Sequence, residues 1–425
     1  MASIRSASTL LVNAERIRAH LRAFARIGYS RDGSISRLAF SREDLRARQL
    51  LLHLMDGVGM QTRIDAIGNV FGRLGDAPDE SAPPVLVGSH LDTVPGGGRF
   101  DGSVGVVAAL EIAAVLREQA RSLRHPLEIV SFACEESSRF GRGTLGSGVV
   151  AGVWDADEVL ALRDAKSLRL GQVLRRLGLD PAGIASARRR PSDFVAYLEL
   201  HIEQGRVLEE AGAHVGVVSA IAAPTRFRVR LVGRADHSGA TPMPLRRDAL
   251  AGAAELILAV ERHARAVPGA VGTVGTVRVE PGALNVVPGQ VELGVDVRST
   301  NDTDKARVVA DIQESITAVA GARALTASVE LLSDEAPVTL DPRVVVMLEG
   351  HCRARGVPSL RLASGAGHDA MQVAKLCPAG MLMVPSRAGS SHNRTEWTNL
   401  NDIVVGVQVL LDAVLELTGR GVPSP

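Results

Sequence analysis

The chain has 425 residues, with 48 Lys and Arg against 47 Asp and Glu for a formal charge of +1. That length predicts two or three domains, and the balanced charge excludes the one-signed field that would draw nucleic acid or an acidic membrane, leaving a small molecule as the expected partner. Cys134, Cys352 and Cys377 are odd in number and far apart, against a disulfide framework or thiolate zinc site, and the first apolar patch is soon broken by Glu15, Arg16 and Arg18, so a cytoplasmic protein without a leader or spanning helix is expected.

Ser41 followed by Glu43 and Asp44 reads as a helix start, with Leu45, Leu51, Leu52, Met55 and Val58 at helical spacing and an end at Gly57 or Gly59. Residues 84–87 are a continuous apolar run and predict a buried strand, as do 127–132, 195–200 and 381–384. Ala-rich helices such as 105–119 lie between them, and this alternation predicts an α/β sheet. The middle of the chain differs. Phe227, Val229 and Leu231 alternate with arginines, and Val291, Leu293, Val295 and Val297 alternate with Glu292, Gly294, Asp296 and Arg298, a period of two that predicts strands with one wet face. Helices fit at 247–266 and 302–320. The expected architecture is bilobal: a metal-binding α/β domain of residues 1–216 and 335–425, with an inserted α+β domain at 217–334. Arg188-Arg189-Arg190-Pro191 reads as a solvated loop, an anion site being the weaker reading.

Polar residues fall where the apolar runs end. The first run leads into His90 and Asp92, the second into Glu135 and Glu136, the third into His201, and the fourth is soon followed by His392. Ligands of an open α/β sheet bind beyond the carboxyl ends of its strands, so these groups and Asp101 are expected to converge. A single histidine at a strand end is ordinarily a hydrogen-bonded structural residue. Two adjacent acids after a buried strand are harder to explain without a cation. Imidazoles with carboxylates and no thiolate suit Zn, or Mn, Co or Ni, and the number of candidate groups suits two ions sharing one carboxylate.

His90-Leu91-Asp92-Thr93-Val94, residues 96–102 (GGGRFDG), Glu135-Glu136 with Ser138-Arg139-Phe140, residues 200–205 (LHIEQG), 235–239 (ADHSG), 364–370 (SGAGHDA) and Ser391-His392-Asn393 occur in this order. The set resembles the hydantoinase/carbamoylase amidases, a family of N-carbamoyl-L-amino acid hydrolases, allantoate amidohydrolases and beta-ureidopropionases within the aminoacylase-like metallopeptidases. The resemblance runs from about Arg16 to Val405. His201 followed by Glu-Gln-Gly is similar to the carbamoylase branch, where ordinary peptidases of the clan usually have a carboxylate; Ser137 departs from the Gly that many members have there.

The resemblance implies one metal held by His90, Asp101 and His201, and another by Asp101, Glu136 and His392. Asp92 would then orient the His90 ring, and Glu135 would act as general base and acid. It also implies that Gln204, Asn285, Arg298 and the backbone at Gly365 and Gly367 bind substrate, while His237 polarises the reacting carbonyl across a homodimer. A pair between Arg298 and Asp296 is an open alternative, and His368 and Asp369 are expected to shape their loop. The inserted domain is implied to be a ferredoxin-like lid and dimerisation domain. The implied activity is cleavage of the carbamoyl C–N bond of a small ureido or amide carboxylate, first an N-carbamoyl-L-amino acid, with allantoate or ureidopropionate as alternatives. Aminoacylase or peptidase action comes second, and binding without catalysis, which would not need Glu135, third.

Overall fold

The computed structural model describes residues 10–75, 82–119 and 123–420. The four continuous apolar runs become the middle of one sheet, lying parallel in the order Leu127–Phe132, Val85–His90, Ala196–Ile202, Ala379–Val384. Every residue of these strands is buried, the condition of a parallel sheet covered on both faces. The helices Ser103–Glu118 and Leu400–Arg420 pack on the central strands, and Ala14–Ala25 packs on both helices. The helix Arg42–Gly57 starts as expected: Ser41 accepts the Asp44 N–H at 3.2 Å, and the Asp44 carboxylate reaches back to the Phe40 N–H at 2.7 Å.

Further strands finish the sheet. Val70–Leu74 pairs antiparallel with Leu127–Phe132 and carries Gln61–Ile64, also antiparallel, outside it; Val215–Ile221 pairs antiparallel with Ala379–Val384, and Ser359–Ser364 pairs with Val215–Ile221. The apolar-run criterion misses these strands because Gly72 interrupts Val70–Leu74, while Gln61–Ile64 and Ser359–Ser364 are short and largely exposed. Among the described residues no helix is long and apolar enough to cross a membrane.

The chain forms two compact units, one running to Ser219 and resuming at Leu340, the other Ala220–Thr339. In the second, four antiparallel strands stand in the order Thr326–Asp334, Ala223–Val232, Gln290–Ser299, Val271–Glu280. The helices Ala249–Arg265 and Asp302–Ala322 cover one face, giving two interleaved βαβ halves, a ferredoxin-like arrangement. Register puts Phe227, Val229 and Leu231 opposite Val295, Leu293 and Val291, all buried under the helices. On the other face Arg226 pairs with Asp296 at 2.8 Å and Arg228 with Glu292 at 3.3 Å.

Candidate active site

His90 is the last residue of its strand, and its Nδ1 lies 3.0 Å from the main-chain carbonyl of Asp92. His201, next to last in Ala196–Ile202, turns its Nδ1 to the Ile202 carbonyl at 2.9 Å. Donation to a carbonyl fixes each ring and sends Nε2 into the space beyond the strand ends. Gly102 makes this approach feasible: its φ is +62°, and a Cβ there would stand 2.5 Å from the His90 ring.

Both rings face Asp101. Its Oδ1 is 3.7 Å from His90 Nε2 and 3.1 Å from His201 Nε2; its Oδ2 is 3.1 Å from His392 Nε2, which is 3.5 Å from Glu136 Oε1. Asp101 therefore belongs to two three-residue groups, with His90 and His201 on one side and with Glu136 and His392 on the other, each group's ligand atoms lying within 4.8 Å of one another. Glu135 Oε2 stands 3.8 Å from His90 Nε2 and is in neither group. Cys134, Gln204 and His392 all have positive φ, between 54° and 59°, a concentration of backbone strain at one site.

Three carboxylates share this space. Burial, and then Glu136 and Asp369, push Glu135 well above the usual carboxyl range; burial and then Asp101 raise Glu136 to about 8. Burial would raise Asp101 too, but hydrogen bonds from His201 and His392 hold it well below its ordinary value. His392 rises to about 9 through its bond to Asp101, and His201 reaches about 9 by the same bond despite its burial. Burial takes His90 down to about 4. A divalent ion would replace the imidazole protons and offset the repulsion among the acids. The Gln204 amide supports the same reading: its Nε2 donates to Asp101 Oδ2 at 2.9 Å while Oε1 is buried with no hydrogen-bond partner among the described residues. Nitrogen and carboxylate donors without a thiolate fit a divalent metal site.

Asp92 serves differently from the sequence expectation. Its carboxylate is 3.8 Å from His90 Nδ1 and instead accepts the N–H groups of Glu135 and Glu136, at 3.2 and 3.1 Å. The tautomer of His90 is set by the Asp92 carbonyl; the carboxylate positions the turn of paired acids. Burial raises that carboxyl to about 7.

Two supports escaped the sequence reading. Glu396 is buried, accepts from Phe100 N and Asp101 N at 2.7 and 3.2 Å, and takes the Ser391 hydroxyl at 3.1 Å, tying the Asp101 loop to the His392 turn. Its place four residues after His392 was the available signal. Arg37, 1 % exposed, donates to the carbonyls of Leu91, Phe24 and Ile27 and to Ser103 Oγ, and so grips the turns on either side of the cluster. A third group of potential ligands, Glu199, His201 and His368, is also within 4.8 Å. There Glu199 already accepts from Ser89, Tyr197 and Ala370 N, and His368 meets Ser364 Oγ at 2.8 Å, so it reads as hydrogen-bonded support. Asp369 takes the Ser147 hydroxyl at 2.5 Å, and Gly365 and Gly367 present exposed main chain just before it.

In the second unit His237 pairs with Val286, and Asn285, in the turn just before that strand, accepts the Ser238 N–H on its main-chain carbonyl at 3.0 Å. His237 Nδ1 accepts the N–H groups of Gly239 and Ala240, both at 3.1 Å, which leaves the ring proton on exposed Nε2. Arg298 is held by Asp296, through Nε at 2.8 Å and Nη2 at 3.1 Å, the alternative that the sequence left open.

Residues 86–416 match the family model described as Peptidase family M20/M25/M40. The chain is 40 % identical to an N-carbamoyl-L-amino acid amidohydrolase of Geobacillus stearothermophilus, over 96 % of this chain and 99 % of that protein. It is 34 % identical to an allantoate amidohydrolase of Bacillus subtilis (strain 168), over 92 % and 95 %. The crystal structure of an amidase of the hydantoinase/carbamoylase family from Burkholderia multivorans superposes with a TM-score of 0.92 at 35 % identity, covering 98 % of this chain and 100 % of that one. The chain belongs to Peptidase family M20/M25/M40, among its hydantoinase/carbamoylase amidases, and is a hydrolase of C–N bonds.

Proposed function

We propose that the protein removes the carbamoyl group of an N-carbamoyl-L-amino acid, releasing ammonia and carbon dioxide, with two divalent ions per subunit. The observation that carries this reading is the Asp101 carboxylate, which turns one oxygen to His90 and His201 and the other to His392 and Glu136. These five residues would hold the ions, Zn being the first choice and Mn, Co or Ni the others. Bound there, the ions would polarise the scissile carbonyl and acidify water.

Glu135 is the acid left over. Held by its main-chain N–H on Asp92, it takes the proton of the attacking water at its carboxylate and returns it to the departing nitrogen. His237 offers the Nε2 proton as a hydrogen bond to the carbonyl, in the site of a partner subunit of a homodimer. Arg298, oriented by Asp296, clamps the substrate carboxylate with Asn285, and Gln204 with the backbone of Gly365 and Gly367 lines the rest. The three free, buried thiols fit a reducing compartment, the cytoplasm.

Similarity to both a carbamoyl-amino-acid hydrolase and an allantoate hydrolase makes allantoate, then ureidopropionate, the competing substrates. Ammonia release from a panel of N-carbamoyl-L-amino acids, allantoate and ureidopropionate, with N-acetyl amino acids as contrast, tests the reading. The highest kcat/KM belongs to a carbamoyl amino acid; faster cleavage of an acetyl amino acid would make the protein an aminoacylase.

A further inference from the structure

Away from the cluster, Arg188-Arg189-Arg190-Pro191 remains without a role. This loop forms one wall of a pocket of about 290 Å³. Pro84 and Phe194 contribute apolar surface, and the guanidinium-bearing side chains of Arg63, Arg73 and Arg189 line it. Strand register explains two of the three. Gln61, Arg73 and Glu128 stand opposite one another across three strands and so share a face, and Arg63, two residues from Gln61, shares it too. The loop is pinned by its main chain, with Arg189 N donating to Val150 O at 2.8 Å and Val195 N to Pro84 O at 2.9 Å.

The acids at this pocket are engaged. Glu128 accepts from Arg63 at 2.7 Å, and Asp193 accepts the N–H and Nε of Arg190 at 3.1 and 3.2 Å. Arg189 is different: its Nε is buried and has no hydrogen-bond partner among the described residues. A buried donor of a charged group costs free energy until an acceptor reaches it. The contrast lies in another pocket, where Arg163, Arg169 and Arg175 are all exposed and none has a buried, unpaired nitrogen.

We propose that the pocket of Arg63, Arg73 and Arg189 binds a small oxyanion of at least two negative charges, carried by a phosphate group or a polycarboxylate. Guanidinium forks recognise either. The ligand is distinct from the substrate, because Pro84, Glu128 and Phe194 stand at the amino ends of the strands whose carboxyl ends lead to His90, Glu135 and His201. A strand of six residues separates the two by about 20 Å.

The holoenzyme is titrated with inorganic phosphate and, separately, with citrate, at ionic strength held constant with NaCl, following binding heat and melting temperature. Saturable binding of at least one probe is expected, phosphate preference pointing to a phosphorylated metabolite and citrate preference to a polycarboxylate. R189A weakens it about 10–100-fold, the loss of one charge-assisted hydrogen bond, whereas R169A in the exposed pocket leaves it unchanged. Phosphate can also ligate metal, so only the binding lost in R189A counts, and R189A keeps wild-type hydrolysis. If circular dichroism shows R189A misfolded, R73A reads the same loss. Absence of saturable binding beyond the NaCl control, or binding that survives in folded R189A and R73A, would overturn the proposal.

Discussion

Glu135 and Glu136 are adjacent in sequence and differ in what they face. Glu136 meets His392 and Asp101 as one of a group of three, whereas Glu135 lies near His90 outside either group. Glu136→Gln is therefore expected to lose metal occupancy, and Glu135→Gln to keep it while kcat falls about 10²–10⁴-fold, the usual contribution of a positioned acid–base group. Elemental analysis beside kinetics checks this, and the reverse pattern would exchange the two roles. At this scale the sequence was informative where chemistry coincides with strand ends, as at His90 and His201. It marked Glu396 only by its place four residues after His392, because its bonds to Phe100 N and Asp101 N link segments almost 300 positions apart, with separations of 296 and 295. Asp92 shows a subtler limit: its motif marks it as important, but only coordinates reveal that main-chain carbonyl and carboxylate do different jobs.

His90 and His201 lie within the ends of their strands, but Asp101, Glu136 and His392 sit on turns beyond strand ends, and turns need support. Arg37 supplies much of it, gripping the Leu91 carbonyl next to His90 and the Ser103 hydroxyl two residues after Asp101. Removing it would leave the buried Leu91 carbonyl without its donor, whereas the Phe24 carbonyl keeps the Ile27 N–H and the Ile27 carbonyl is only part-buried. Arg37→Met is expected to destabilise by about 1–3 kcal/mol and to weaken metal binding, because an unsatisfied buried acceptor costs about that much. Denaturant melts with metal titration check this; wild-type stability and affinity would show that the turns hold themselves. The central strands were legible because burial on both faces leaves an unbroken apolar run. The flanking strands were not, since Val271–Glu280 and Thr326–Asp334 are exposed over most of their length and pair only on one edge. Arg37 escaped notice because a buried arginine bonded to main chain leaves no pattern in sequence.

At the scale of the molecule, the acids of the site should make stability depend on pH. Asp92 and Glu136, raised to about 7 and 8 by burial first, bind protons more tightly folded than unfolded. Their burial therefore costs nothing below about pH 4 and progressively more as pH rises through their folded values. Chelator-treated protein is expected to lose melting temperature between pH 5 and 8, and added metal to restore most at the alkaline end. A flat difference across that range would contradict this electrostatic reading. Assembly is tested by mixing: if His237 acts in trans, H237A and E135Q homodimers are nearly inactive, and random subunit exchange restores about a quarter of wild-type activity through heterodimers with one good site. No recovery, with exchange confirmed, would confine His237 to its own subunit. The most direct test of the account is ammonia release from an N-carbamoyl-L-amino acid by protein stripped of metal and verified by elemental analysis, then reloaded with Zn, Mn, Co or Ni. The account predicts no turnover when stripped and recovery on reloading; full turnover by the verified metal-free protein would contradict it.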